Sequence, residues 1–135
     1  MIMMGDGGSY TGAMYVIFLK TNANAKSAQK ISYSYGNLNA FYTIDANDRL
    51  CGSLAVLGDI DGDCVVDIAA GTYADDDGAE NAGAMYLLFL KTGGNVNRAQ
   101  KISHFYGNIN AYAVNMASSG FAARAGVGDV DGDGV

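Results

Sequence analysis

One segment of this chain is repeated, and the repeat limits the possible folds more than any other feature of the sequence. The run Gly-Ala-Met-Tyr-Val-Ile-Phe-Leu-Lys-Thr at residues 12–21 returns as Gly-Ala-Met-Tyr-Leu-Leu-Phe-Leu-Lys-Thr at residues 83–92, an offset of 71 residues (83 minus 12). Residues 28–32 return at 99–103 with the same offset. A fixed period of this kind is typical of folds that stack copies of one supersecondary unit.

The segments within one unit predict short β-strands. Residues 53–58 and 66–70 lie on either side of an acidic loop, residues 83–90 form a continuous apolar run, and residues 100–105 are more polar. An apolar run of this length is consistent with a strand buried on both faces. Nineteen glycines and no proline suggest short strands joined by tight turns. We therefore predict an all-β fold with antiparallel four-stranded units, the pattern of a β-propeller blade.

The acidic loop between the first two predicted strands carries carboxylates at alternating positions. They are Asp59, Asp61, Asp63 and Asp67, at loop positions 1, 3, 5 and 9. So much negative charge on one short loop is repulsive, whereas Ca²⁺ binds six to eight oxygens from carboxylates, carbonyls and water. An oxygen-only ligand set also disfavours softer transition metals. We predict a calcium site formed by these four side chains and the main-chain carbonyl of Val65; the alternative is a solvated acidic turn.

The loop begins a second time near the end of the sequence. Asp129, Asp131 and Asp133 follow at an offset of 70 residues (129 minus 59), and the sequence stops before the position of a fourth carboxylate. We assign these three residues to a second calcium site. Seven of the 14 acidic residues lie in the two loops, so much of the formal charge of −6 is predicted to be metal-ligand charge.

The unit resembles the FG-GAP repeat of integrin α-chain β-propellers. In that family, a first strand is followed by the loop Asp-x-Asp-Gly-Asp-Gly-x-x-Asp, a second strand, the element Gly-Ala-Pro and an apolar third strand. This chain has Gly-Asp-Ile-Asp-Gly-Asp at residues 58–63 and Val-Asp-Ile-Ala-Ala-Gly at residues 66–71. The Gly-Ala-Pro element is replaced by Gly71-Thr72-Tyr73. Cys64 replaces the glycine of position 6, and a β-carbon strains a loop that needs a positive φ there. We therefore expect weaker calcium binding than the family pattern gives.

The resemblance implies a partial (incomplete) β-propeller that binds Ca²⁺. Residues 1–49 would end one blade, residues 50–111 would form a complete blade, and residues 112–135 would start the next. Other blades of a parent chain are then expected partners, and exposed blade faces predict self-association or marginal stability. The implied function is a non-enzymatic, extracellular or cell-surface adhesion module that binds a protein or carbohydrate. The alternative is an accessory propeller of a larger extracellular enzyme with catalysis elsewhere.

An EF-hand or dockerin-type loop is a third interpretation, because those loops share Asp-x-Asp-x-Asp-Gly. They require flanking helices and a carboxylate at position 12, which is Ala70 in this chain. The strand-like flanks therefore disfavour this interpretation.

Composition excludes several other functions. A pI near 4.4 argues against nucleic acid, which requires a basic patch. The longest apolar run, residues 13–19, is too short to span a bilayer, so we expect no membrane insertion in this segment. No signal peptide is visible at residues 1–6. The single histidine, His104, has Tyr33 as its repeat equivalent, and no catalytic constellation is present.

Three further features leave alternatives open. Cys51 and Cys64 form one disulfide or remain separate thiols. The acidic run Asp75-Asp76-Asp77 with Glu80 is a second cation site or, as we prefer, a solvated turn. The aromatic residues 33, 35, 41 and 42 form a platform for sugar rings or, preferably, pack between strands.

Overall fold

The chain folds into two antiparallel β-sheets, as seen in a computed structural model that describes residues 9–112. Strands β1 and β2 form one sheet, and the other four strands form a second sheet in the order β3-β4-β5-β6. Within the described residues the only helical segments are short 3₁₀ turns, at Leu38–Ala40 and Ile109–Ala111. The predicted all-β class and the four-stranded antiparallel sheet are confirmed. The strands are β1 (Ala13–Leu19), β2 (Ala25–Ser32), β3 (Ser53–Gly58), β4 (Asp67–Thr72), β5 (Ala84–Leu90) and β6 (Val96–Ile102).

The sequence repeat is also a structural repeat. Met14 pairs with Ile31 in the first sheet, and their equivalents Met85 and Ile102 pair in the second. Both hairpins have a β-bulge at the same place, after Phe18 in one and after Phe89 in the other. The pair β1–β2 therefore corresponds to β5–β6, strand for strand, at the 71-residue offset seen in the sequence.

The two hairpin turns follow the same path with different residues. The Lys20 N–H donates to the Asn24 carbonyl at 2.8 Å, and the Lys91 N–H donates to the Asn95 carbonyl at 2.9 Å. The turn needs a left-handed residue, which is Gly94 (φ 80°) in one copy and Ala23 (φ 64°) in the other. Alanine carries a steric cost there that glycine does not.

The predicted position of β6 is wrong. The sequence predicts a strand at residues 100–105, whereas β6 spans Val96–Ile102. The preceding turn is tighter than its polar composition suggests, since the Lys91–Asn95 hydrogen bond already closes it. At the other end, the Ser103 N–H donates to the Tyr106 carbonyl at 3.0 Å, and this second turn ends the strand.

The first sheet packs on part of one face of the second sheet. Side chains directly opposite each other on neighbouring strands point to the same face, so Ile68 shares a face with Leu88, and Ala70 shares it with Tyr86. Leu88 and Tyr86 are fully buried against the first sheet, in a core that includes Met14. Burial of each large apolar side chain contributes about 1.5–3 kcal/mol, so this contact holds the two sheets together.

None of the helical segments between residues 9 and 112 is long and apolar enough to cross a membrane.

Candidate metal centre

The predicted metal loop is the tip of the β3–β4 hairpin. β3 ends at Gly58 and β4 begins at Asp67, so residues 59–66 connect two antiparallel strands. An EF-hand would place a helix on each side of the loop. The strands on both sides therefore exclude the EF-hand interpretation.

The carboxylate of Asp59 shapes the loop. Its Oδ1 accepts hydrogen bonds from the N–H groups of Gly62 (2.8 Å) and Asp63 (3.0 Å), and its Oδ2 accepts one from the N–H of Cys64 (2.7 Å). Gly62 (φ 79°) and Cys64 (φ 66°) are both left-handed, which allows these N–H groups to turn inward. Hydrogen bonds to a charged acceptor are the stronger ones, so the loop curls around Asp59.

Asp67 anchors the loop to the rest of the sheet. This residue is fully buried. Its Oδ2 accepts from the N–H of Ile60 at 3.0 Å, and its Oδ1 accepts from the N–H of Leu90, on β5, at 3.1 Å. The position of this carboxylate is therefore fixed by the loop on one side and by a core strand on the other.

Three of the predicted ligands converge. One carboxylate oxygen from each of Asp59, Asp61 and Asp67 lies within 4.8 Å of the other two. Oxygens that bind one Ca²⁺ at about 2.3–2.6 Å are separated by at most about 5 Å, so the three side chains fit a single shell. The Oδ2 of Asp61 also lies 3.8 Å from the Arg98 guanidinium, and this cation would compete with a metal ion.

Asp63 is the one predicted carboxylate of this loop that does not join the other three. The Oδ1 of Asp63 accepts from the N–H of Val65 at 2.8 Å. Ligation by Asp63 and by the Val65 carbonyl stays a prediction, as does ligation by the second loop, which lies outside the described residues. Arg98 was not anticipated, because nothing in the repeat marks position 98; its equivalent is Ser27.

The two cysteines are free thiols, so the disulfide alternative is wrong. Cys51 is buried and Cys64 is exposed on the loop. Burial raises the pKa of Cys51 to about 12. The left-handed conformation of Cys64 agrees with the strain expected for a β-carbon at this position.

The preferred interpretation of the second acidic run, a solvated turn, is wrong for Asp75 and Asp77. The ammonium of Lys101 lies 2.7 Å from the Oδ2 of Asp75 and 2.7 Å from the Oδ2 of Asp77. Asp75 and Lys101 are both buried, and Ser103 donates to Asp77 at 2.8 Å. Burial opposes the charge on Lys101, but its hydrogen bonds to the two carboxylates raise its pKa above the ordinary value. This cluster is an internal ion-pair network.

A third carboxylate, Asp48, lies beside this network. The side chain is buried, and its Oδ2 accepts from the N–H of Asp45 at 2.8 Å. The pKa of Asp48 is raised from 3.8 to about 7, and desolvation is the largest cause. The negative charges of Asp75 and Asp45 act in the same direction, whereas the hydrogen bond from the Asp45 N–H and the charge of Lys101 lower the pKa. Together these groups line a polar cleft of about 270 Å³.

The raised pKa of Asp48 predicts that stability falls as the pH increases. Between pH 3.8 and about 7 the folded chain holds a proton on Asp48 that the unfolded chain has lost, so the free energy of unfolding decreases through this range. Urea unfolding at several pH values measures the slope. In Asp48→Asn the contribution disappears, and a wild-type slope that survives this substitution unchanged would contradict the assignment.

The aromatic residues do not assemble into one exposed platform. Tyr33 and Tyr42 pack against the core, whereas Tyr35 and Phe41 are exposed. The preferred interpretation, that the aromatic side chains pack within the fold, therefore holds for Tyr33 and Tyr42 and not for Tyr35 and Phe41. His104 lies edge-on to Phe105, with ring centroids 5.0 Å apart.

No protein-family model, curated protein or solved structure matches this chain.

Proposed function

We propose that this chain is part of a calcium-stabilised, non-enzymatic interaction module built from propeller-like blades. The observation that carries the proposal is the convergence of Asp59, Asp61 and Asp67 at the tip of the β3–β4 hairpin. Three carboxylates this close repel one another unless a cation lies between them. The donor set consists of oxygens alone, which favours Ca²⁺ or Mg²⁺ over softer metals.

The bound ion acts on the hairpin. It neutralises the three carboxylates and joins the loop to Asp67, which already contacts β5 through the N–H of Leu90. Calcium tolerates irregular coordination at 2.3–2.6 Å, whereas Mg²⁺ demands a near-ideal octahedron, so an irregular loop of this kind selects calcium. We expect an affinity in the range of extracellular modules, about 10⁻⁴–10⁻³ M.

The stacked sheets support the propeller-like architecture. The four-stranded sheet packs face to face on the two-stranded sheet β1–β2, which repeats strands β5 and β6. In such an architecture the connecting loops at the sheet ends are the variable, exposed surface. We assign partner binding, to a protein or a carbohydrate, to these loops, and place the module outside the cell or at its surface, where calcium is abundant.

Thermal unfolding with and without calcium tests the metal site. At 10 mM Ca²⁺ and the expected affinity, binding to the folded chain adds about 1.4–2.7 kcal/mol, which raises the melting temperature by several degrees. Asp61→Asn removes one converging carboxylate that makes no backbone hydrogen bond among those described. We expect this variant to lose most of the increase.

The control variant is Asp45→Asn, which removes an exposed carboxylate outside the loop. This variant should keep the full calcium-dependent increase in melting temperature, because it changes only the weak, screened interaction between a distant charge and the loop. An equal response in wild type, Asp45→Asn and Asp61→Asn would show that calcium acts non-specifically and would remove the site.

A further inference from the structure

Strand β1 has an open edge where its equivalent is paired. β5 lies between β4 and β6, but β1 pairs only with β2 among the residues that the structure describes. Within residues 9–112, no strand pairs with the other edge of β1, and the only contact of this kind near it is one parallel bridge between Gly12 and Leu50. Alternate N–H and C=O groups of an edge strand point away from the sheet and are available to another chain.

The open edge borders an uncovered part of the second sheet. Leu54 and Val56 of β3 lie opposite Ala70 and Ile68, so they belong to the face on which the first sheet packs. They remain 51% and 68% exposed, because the first sheet does not extend over β3. Two adjoining clefts of about 380 and 190 Å³ lie there, both bordered by Met14.

The open edge of β1 has few of the features that normally protect an edge strand. Natural edges are blocked by charges, prolines, bulges or a covering segment. The strand Ala13–Leu19 contains no charged residue and no proline, and its β-bulge, after Phe18, lies at the end away from the cleft residues. An edge with so little protection can still pair with another strand.

We propose that this edge binds an extended strand of the β4 type, supplied by another repeat unit. The structural repeat gives the register: Ala69 and Gly71 lie opposite Leu87 and Met85 in the second sheet, and the equivalents of these two partners are Val16 and Met14. The small residues of the added strand therefore face the cleft.

The geometry favours a strand with small side chains at these two positions. An added strand lies about 4.7–4.9 Å from β1 and passes over Leu54 and Val56. Alanine and glycine allow that close approach, whereas larger side chains would meet β3. The chain's own β4 cannot fill the site, since it is already paired between β3 and β5. Main-chain hydrogen bonds provide the affinity, and the small-residue pattern provides the specificity.

A fluorescein-labelled peptide with the sequence of residues 65–73, titrated with the chain and followed by anisotropy, tests the proposal. We expect saturable binding that is the same in EDTA and in calcium, so that its outcome is independent of the metal site. The Ala69→Pro peptide, which loses an N–H and cannot continue the ladder, should not bind.

A matched pair of chain variants locates the site. Val56→Asn changes an exposed side chain over which the added strand would pass and should weaken binding at least tenfold. Val66→Asn changes a similarly exposed valine outside the clefts (52% exposed) and should leave binding unchanged. Absence of saturable binding, or equal effects of the two variants, would each overturn the proposal.

Discussion

Replacement of Asp67 by alanine is expected to lower the free energy of unfolding by about 2–4 kcal/mol, even in calcium-free buffer. The carboxylate is fully buried and accepts hydrogen bonds from the N–H groups of Ile60 and Leu90. Alanine leaves both donors without a partner, at about 1–3 kcal/mol for each buried group. Urea unfolding in EDTA measures the loss.

The control for this prediction is Asp61→Ala, which removes a carboxylate from the same loop. Asp61 is exposed as a residue, its side chain is 21% exposed, and it makes one long ion pair, to Arg98 at 3.8 Å. Surface pairs of this kind contribute about 0–1 kcal/mol, so the variant should unfold close to wild type in EDTA. A loss below about 1 kcal/mol in Asp67→Ala would show that Asp67 does not anchor the loop.

The second large effect is expected at Lys101. Lys101→Met should cost about 3–5 kcal/mol, because removal of one partner from a buried ion pair leaves an uncompensated charge. The side chains of Lys101 and Asp75 are 9% and 4% exposed, and the Asp77 side chain is 25% exposed. Chemical unfolding at pH 7 measures the change.

A double-variant cycle separates the charge from the packing. Adding Asp75→Asn to Lys101→Met removes the stranded carboxylate and should restore part of the lost stability. Lys91→Met, at an exposed position, should change stability by no more than about 0.5 kcal/mol. If Lys101→Met and Lys91→Met have equal effects, the buried network does not stabilise the fold.

Much of the fold follows from the repeat. Once residues 12–21 and 83–92 are seen as copies, the apolar runs identify β1 and β5, and the bounds of β3 are predicted residue for residue. The alternating carboxylates identify the loop, and three of the four converge. The strands and the acidic loop could be predicted because strand period and ligand spacing are both local properties that neighbouring residues determine.

The ion-pair network could not be predicted, because its members are distant in sequence. Lys101 and Asp75 lie on opposite sides of β5 in the chain, and only the strand order brings them together. Three adjacent aspartates look like a solvated turn unless the position of the buried lysine is known. The same reason explains why the contact between Arg98 and Asp61 was missed.

Identical residues in the two copies also have different environments. Tyr86 is fully buried, whereas its equivalent Tyr15 is 44% exposed. Both tyrosines nevertheless lie beside equivalent lysines, with ring centroids 5.5 Å from the Lys101 ammonium and 5.9 Å from the Lys30 ammonium. The local arrangement is thus set by the repeat, while burial depends on what packs against each copy.

The most direct test of the calcium proposal is an anomalous-difference map from crystals of the chain soaked in terbium, a calcium substitute with strong anomalous scattering. We expect a peak within about 2.6 Å of carboxylate oxygens of Asp59, Asp61 and Asp67 at the tip of the β3–β4 hairpin. A loop with these side chains ordered and no peak between them would contradict it.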